Sequence, residues 1–268
     1  YKTDYGVEFT ESEVIVTAGG KQALYNTALA LFEAGDEVIT HAPYWPTLTE
    51  QIKLAEATPV IVQTKPEDGF AIRAETILSA VTPKTRGILL NSPCNPTGAL
   101  ISERDMTAIA QEAARRDIWV VIDLCYEKLI YDPTPHNLPG ILRKHCPELS
   151  VICGSASKAY AMTGWRCGWT IAPPGVVAAE IALQSHATSN INSVAQKGAI
   201  AALTGSQALV TAMLDEYRQR RDAVHQWLTA DSRIACLKPA GAFYLFPDIR
   251  RVLTDGGFKT SADFAQAL

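Results

Sequence analysis

The chain contains no apolar run near the roughly 20 residues that a membrane-spanning helix requires, no C-x-x-C pair and no H-E-x-x-H. The first absence argues against a membrane partner, and the other two leave no metal-ligand pattern to assign. The six cysteines (Cys94, Cys125, Cys146, Cys153, Cys167 and Cys236) are scattered and read as reduced thiols. A chain of 268 residues needs neither disulfide nor metal to hold a core. Basic charge is also scarce: 24 Lys+Arg stand against 28 Asp+Glu, a net charge of −4, so no nucleic-acid partner is expected. The only basic run, Arg218, Arg220 and Arg221, reads as a solvated helix face. No charged-then-apolar leader opens the chain, which makes the cytoplasm the expected location. The chain starts at Tyr1 rather than Met and stops at Leu268 inside a helical pattern, so it reads as a fragment.

What is present is globular composition, with 47% hydrophobic and 19% charged residues. Short runs rich in β-branched residues at 14–17, 37–40, 59–62, 87–91, 119–123, 151–153 and 168–171 predict strands. Helical patterns at 21–33, 44–55, 74–81, 102–115 and 176–185 alternate with them. The strands are continuous apolar runs, as expected when both faces of a parallel sheet are covered. The predicted fold class is therefore α/β, a three-layer, mostly parallel sheet with helices on both faces. After residue 189 the texture changes to long helices at 192–203 and 207–230, then strands at 234–237 and 242–246 around a Lys-Pro-Ala-Gly turn, and a helical start at 261. This divides the chain into a large domain over 1–212, followed over 213–268 by an interdomain helix and the start of a small α+β domain.

Four junctions carry chemistry. Gly19-Gly20-Lys21-Gln22 ends a strand and opens a helix, a geometry that aims free N–H groups at one point, although a lone Gly-Gly also reads as a tight turn without a ligand. Asn95, in Asn95-Pro96-Thr97-Gly98, is held by flanking prolines at the carboxyl edge of the sheet, or equally belongs to a turn leading into the next helix. Asp123 ends an apolar strand with Tyr126 three residues on; a carboxylate there can pair with a cationic ring nitrogen and a phenol with an adjacent ring oxygen, or the Asp can be a local cap. Finally, Ser155 and Ser157 precede Lys158, with Arg166 eight residues further. Lysine forms Schiff bases, while Ser and Arg suit a phosphate.

Taken in order, GGKQ, PYW, NPTG, DxxY and SxSK-x7-R resemble the class I/II aminotransferases, the fold type I family that uses pyridoxal 5′-phosphate (PLP). SKAYAMTGWR and PAGAFY are similar to the bacterial aspartate aminotransferase subgroup. The resemblance implies that Lys158 carries PLP as a Schiff base and moves the substrate proton, and that Asp123 keeps the pyridine nitrogen protonated. Tyr126 and Asn95 would hydrogen-bond the ring oxygen. Gly20, Lys21, Ser155 and Arg166 would hold the phosphate, with Trp45 on one ring face and Cys125 on the other. Lys158, Asp123 and Tyr126 are thus the expected catalytic residues, and Lys21, Trp45 and Asn95 the expected substrate contacts. Lys21 would receive a distal carboxylate, the other reading being an exposed lysine at a helix start, where a cation is disfavoured.

The implied reaction moves an amino group from an L-amino acid, aspartate or glutamate first, to a 2-oxo acid such as 2-oxoglutarate, in a homodimer with a shared active site; Thr188, Ser189 and Asn190 are candidates for the contact across it. Alternatives on the same fold are an aromatic or prephenate aminotransferase or a PLP-dependent β-lyase. A further class is the PLP-sensing domain of a transcription regulator, which would place a helix-turn-helix before Tyr1. The sequence departs from the family at Leu124, commonly acidic, and at Cys167, usually aliphatic. The arginine that clamps the substrate α-carboxylate and the N-terminal lid are expected beyond Leu268 and before Tyr1.

Overall fold

All seven apolar runs before residue 172 form strands, and all seven join one sheet. The computed structural model describes residues 1–268. The strands are β1 (Val14–Thr17), β2 (Glu37–Ala42), β3 (Thr58–Gln63), β4 (Thr85–Asn91), β5 (Trp119–Asp123), β6 (Ser150–Ser155) and β7 (Gly168–Ile171), in spatial order β1-β7-β6-β5-β4-β2-β3. Only β7 runs against its neighbours β1 and β6; the other pairs are parallel. The helices are α1 (Lys2–Tyr5), α2 (Gly20–Leu31), α3 (Thr47–Leu54), α4 (Ala74–Ser79), α5 (Glu103–Arg116), α6 (Leu138–His145), α7 (Ala156–Ala159), α8 (Pro174–Ala187), α9 (Ser193–Thr204), α10 (Ala208–Thr229), α11 (Arg250–Gly256) and α12 (Ser261–Ala267).

The two-residue period of the strands divides the core between two faces. Leu89, Val121 and Val151 pack with Leu24 and Ala28 of α2, Leu48 and Ile52 of α3 and Val176 and Val177 of α8. Ile88, Leu90, Val120, Ile122 and Ile152 pack with Met106 and Ile109 of α5 and Leu138 and Leu142 of α6. Three layers result. Because both faces are covered, no polar residue interrupts the centres of β4, β5 and β6; polar residues fall at the strand ends, and those at the carboxyl ends, Asn91, Asp123 and Ser155, stand where the sheet runs out into the site.

The C-terminal part departs from expectation in two places. Residues 242–246 do not form a strand. Ala242 adopts φ +57°, its N–H donates to Leu129 O at 2.8 Å and its carbonyl accepts from the Tyr131 hydroxyl, so the backbone is engaged by the loop after β5. The short strand β8 (Ala235–Cys236) pairs instead with β9 (Pro247–Asp248). Nor is the basic run wholly solvated. Arg220 pairs with Glu216 on the surface of α10, and Arg218 reaches Asp215 and Tyr131 O, but Arg221 is only 6% exposed. Its guanidinium lies 4.3 Å from the Tyr131 ring centroid and donates to Pro239 O at 3.2 Å, so α10 is pinned to the 239–244 segment. All six cysteines are free, no group of ligating side chains could hold a metal ion, and no helix is long and apolar enough to cross a membrane.

Candidate active site

Strand register builds the site. Asn91 at the end of β4 pairs with Asp123 at the end of β5, Asp123 pairs with Cys153 of β6, and Ser155 at the end of β6 lies beside Gly168, which in turn faces Thr17 of β1. The carboxyl ends of four parallel strands therefore meet along one edge, where open α/β sheets bind ligands. A cavity of about 410 Å³ opens there. It is lined by Gly20, Lys21, Trp45, Asn95, Asp123, Tyr126, Ser155, Lys158 and Arg166, so every residue picked from the sequence as a site residue is brought to one place. Thr188, Ser189 and Asn190 are not part of it. Ser189 and Asn190 line a second, open depression beside β1, and Thr188 accepts from Gln22 Nε2 at 2.7 Å.

One end of the cavity is built to receive an anion. The twelve-residue α2 starts at Gly20, and its first two residues, Gly20 and Lys21, line the cavity with Ser155 and Arg166, so the positive end of the helix stands at the cavity. Gly19, at φ +84°, lies so close to Arg166 that a Cβ there would stand 2.4 Å from Nη2, and a Cβ on Gly20 would stand 2.5 Å from Cys125 Sγ. Glycine is required at both positions by close approach. Arg166 Nη2 donates to Ala18 O at 3.0 Å and Nη1 to Thr163 O at 2.8 Å, which ties the guanidinium to the loop that opens α2. The buried Ser155 Oγ accepts from Ser157 N at 3.0 Å and caps the single turn α7, which carries Lys158.

The opposite end is built to receive a cation. Asp123 is only 3% exposed; its Oδ1 accepts from Cys125 N at 2.9 Å, and burial pushes its pKa above the ordinary carboxylate range. A buried carboxylate without a cationic partner is costly, and a protonated ring nitrogen would relieve that cost. Burial, with the adjacent Asp123, also pushes the Cys125 thiol up and keeps it protonated.

Between the two ends, Asn91 positions Asn95: its Oδ1 accepts from Asn95 N at 2.7 Å while its Nδ2 donates to Asp123 O at 3.2 Å. Tyr126 is buried, and burial is the main cause that holds its pKa above the ordinary phenol value, so it remains a protonated donor. Lys158 Nζ lies 5.4 Å from the Phe243 ring centroid, and Lys21 Nζ lies 4.9 Å from that of Trp45. Trp45 sits in the cavity because α3 starts only at Thr47, three residues later than the helical pattern alone suggests, with Pro46 at its N-cap and Tyr44 and Trp45 in the preceding loop.

Cys125 also lines the cavity, as the family resemblance implies, while four lining residues have no role assigned from the sequence: Asn91, Ser157, Thr163 and Tyr244. Ser157 and Thr163 lie within the motif around Lys158, and Asn91 stands at the strand end that leads to Asn95. Tyr244 closes the PAGAFY motif, but nothing local assigns it a contact, because its partners are 118 and 149 residues away.

This geometry has relatives. The sequence profile described as aminotransferase class I and II matches residues 1–268. An aspartate aminotransferase of Bacillus subtilis (strain 168) is 38% identical over 268 residues, covering all of this chain and 68% of the relative. One of Streptomyces avermitilis is 41% identical over 254 residues, 93% of this chain and 61% of the relative. An aspartate/prephenate aminotransferase of Cereibacter sphaeroides is 36% identical, covering all of this chain and 68% of the relative. The solved aspartate aminotransferase of Thermus thermophilus with maleate superimposes with a TM-score of 0.89 at 35% identity, over 98% of this chain and 72% of that one. Sheet order, cavity and sequence agree, and the chain belongs to the class I and II aminotransferases.

Proposed function

We propose that this chain carries PLP in the 410 Å³ cavity and transfers the amino group of aspartate or glutamate to a 2-oxo acid such as 2-oxoglutarate. The observation that carries the reading is the pairing, in one cavity, of a buried carboxylate without a cation and a helix N-terminus with Ser155 and Arg166 at the other end. A cofactor that is cationic on its ring nitrogen and anionic on its phosphate fits both ends, and the glycines at 19 and 20 let Arg166 and Cys125 pack directly against the backbone of the turn. When bound, PLP supplies an electron sink for the negative charge that develops at the substrate Cα.

The chain's own residues do the rest. Lys158 Nζ would attach the cofactor and, once released, would move the proton of the substrate Cα. Asp123 would keep a ring-nitrogen proton in place. Tyr126 and Asn95 would donate to a ring oxygen, and Trp45 and Cys125 would flank the ring. Lys21, beside Trp45 at the cavity mouth, pairs with the distal carboxylate of the substrate. The names of the relatives, aspartate and aspartate/prephenate aminotransferase, support an acidic donor and make prephenate the second acceptor to test.

The proposed organisation is a large domain over 1–212, with the interdomain helix and the start of a small domain over 213–268, a division that falls inside α10. A cytoplasmic homodimer is proposed, supported by the exposed apolar side chains of Trp165, Val194, Ile200 and Leu203. The test is an absorbance spectrum, with PLP, of the longest natural chain that contains this sequence. Aspartate should convert the band of the lysine-bound cofactor to that of the amine form, and phenylalanine should do so far less. A band that no amino acid converts would overturn the transaminase reading, and no band at all would overturn the cofactor.

A further inference from the structure

Tyr244 is the only cavity residue that follows α10; the other lining residues lie at or before Arg166. Its Oη stands 2.6 Å from Tyr126 Oη, and Asn95 Nδ2 donates to it at 3.4 Å. The inventory of donors fixes one side of this triangle. The Asn95 amide nitrogen can only donate, so Tyr244 Oη accepts from it. Either hydroxyl of the tyrosine pair can donate to the other. In the direction in which Tyr244 gives its single proton to Tyr126 Oη, the hydroxyl hydrogen of Tyr126 and the second N–H of Asn95 are left for the cavity.

The placement is held from several directions. Gly241 N donates to Gly98 O at 2.9 Å and Ala242 N to Leu129 O at 2.8 Å, so the segment is clamped to the loops that carry Asn95 and Tyr126. The Tyr244 ring packs on Phe243 and Tyr126 with centroids 4.8 and 5.7 Å apart. Ring and backbone together aim one hydroxyl at one oxygen.

We propose that Tyr244 is a positioning residue for Tyr126, accepting one N–H of Asn95 and donating to Tyr126 Oη so that Tyr126 directs its hydroxyl proton at the ring oxygen of the cofactor. The inference rests on the cofactor reading above. A phenol that accepts a hydrogen bond is a stronger donor, because successive hydrogen bonds polarise one another. Stronger donation favours the anionic ring oxygen on its own, weakening its hold on the proton of the neighbouring lysine-bound nitrogen.

The test is a pH titration of the visible absorbance of the PLP-loaded protein in Tyr244→Phe, Tyr126→Phe and the double variant. Tyr244→Phe removes a single oxygen and keeps the aromatic packing. Its midpoint should rise by roughly half a pH unit, the size of a modest polarisation effect. Tyr126→Phe should raise it further, and adding Tyr244→Phe to that variant should change nothing. An unchanged midpoint in the single variant, or the same increment with and without the Tyr126 hydroxyl, would overturn the proposal, the second by showing that Tyr244 acts independently of Tyr126. Failure of the cofactor reading looks different: the parent protein would then show no PLP band to titrate. In the cofactor-free protein, PLP affinity read from quenching of intrinsic fluorescence should fall about threefold in Tyr244→Phe, the loss of a weak hydrogen bond, and an unchanged affinity would count against the role.

Discussion

Asp123 and Lys21 are ordinary residue types made specific by what surrounds them. Burial raises the Asp123 pKa and no cation of this chain compensates it, so pairing with a ring nitrogen would do so. Breaking a buried pair of this kind is worth about 3 kcal/mol or more, roughly a hundredfold in rate. Asp123→Ala should therefore lower kcat by about two orders of magnitude, while bound PLP, still held at its phosphate end, falls far less. Steady-state kinetics beside cofactor absorbance checks this, and a near-parental kcat would refute the role. Lys21 lies beside Trp45 at the cavity, in a cation–π contact. Lys21→Ala should depress kcat/KM for aspartate roughly fivefold more than for phenylalanine, the size of one partly solvated charge pair of about 1 kcal/mol. Equal losses with both substrates would return Lys21 to the phosphate end alone. Both residues were legible in the sequence because each sits at a fixed offset from a strand end. Tyr244 was not, since what selects it is the Tyr126 hydroxyl, brought to 2.6 Å by the fold.

At the scale of elements, the turn between β1 and α2 decides whether a helix N-terminus becomes an anion site. Gly19 combines a left-handed φ of +84° with the contact to Arg166, and an added methyl meets both problems. With ψ 167° this is a positive-φ extended conformation that essentially only glycine adopts, and it alone costs an alanine about 1 to 3 kcal/mol. Displacement of the guanidinium falls on phosphate binding. Gly19→Ala should lower the thermal midpoint of the cofactor-free protein and weaken PLP binding by more than tenfold; calorimetry and a PLP titration separate the two effects. A variant that keeps full PLP affinity would mean that Arg166 does not serve the phosphate. The strands around this turn were readable because residues buried on both faces leave continuous apolar runs. Helix α6, Leu138–His145, was missed because Pro139 and Gly140 stand in its first turn, where they read as loop punctuation, although Asn137 caps it by accepting from Gly140 N at 2.9 Å. The expected strand over 242–246 failed for the opposite reason: an apolar, aromatic run whose backbone is taken by the loop after β5.

Across the whole molecule, buried titratable groups set the pH window of stability. Glu180 of α8 is fully buried, its Oε1 accepting from Thr27 Oγ1 of α2 at 2.8 Å and its Oε2 without a partner; burial lifts its pKa from 4.5 to about 7. Glu127, which accepts from Tyr5 at 2.8 Å, is likewise lifted by burial to about 7. The folded chain keeps these protons where the unfolded chain has lost them, so stability falls as pH rises from 4.5 toward 7 and levels off above it. His41 and His136 act in the other direction. Burial lowers both from 6.5 to about 4, so stability falls as acid protonates them in the unfolded chain first. Glu180→Gln keeps an acceptor for Thr27 and removes one titration. Its stability, from urea midpoints between about pH 5 and pH 8, should decline less with rising pH than that of the parent, by up to roughly 3 kcal/mol. Identical slopes would show that Glu180 is ionised when buried.

The sequence by itself determined the alternation of strands and helices, the seven strands of the sheet, and eight of the nine picked residues that meet in the cavity, Trp45 being implied only by the family resemblance. Trp45 apart, these are local properties: two-residue and helical periods, turn residues, and chemistry-bearing groups placed just after apolar strands. Tertiary structure alone decided that Arg221 turns inward onto Tyr131 and Pro239, that Glu180 is buried between α2 and α8, and that Tyr244 meets Asn95 and Tyr126. Each depends on a partner far along the chain, and hydrophobic burial, which brings such partners together, depends on area removed from water and carries no record of sequence distance.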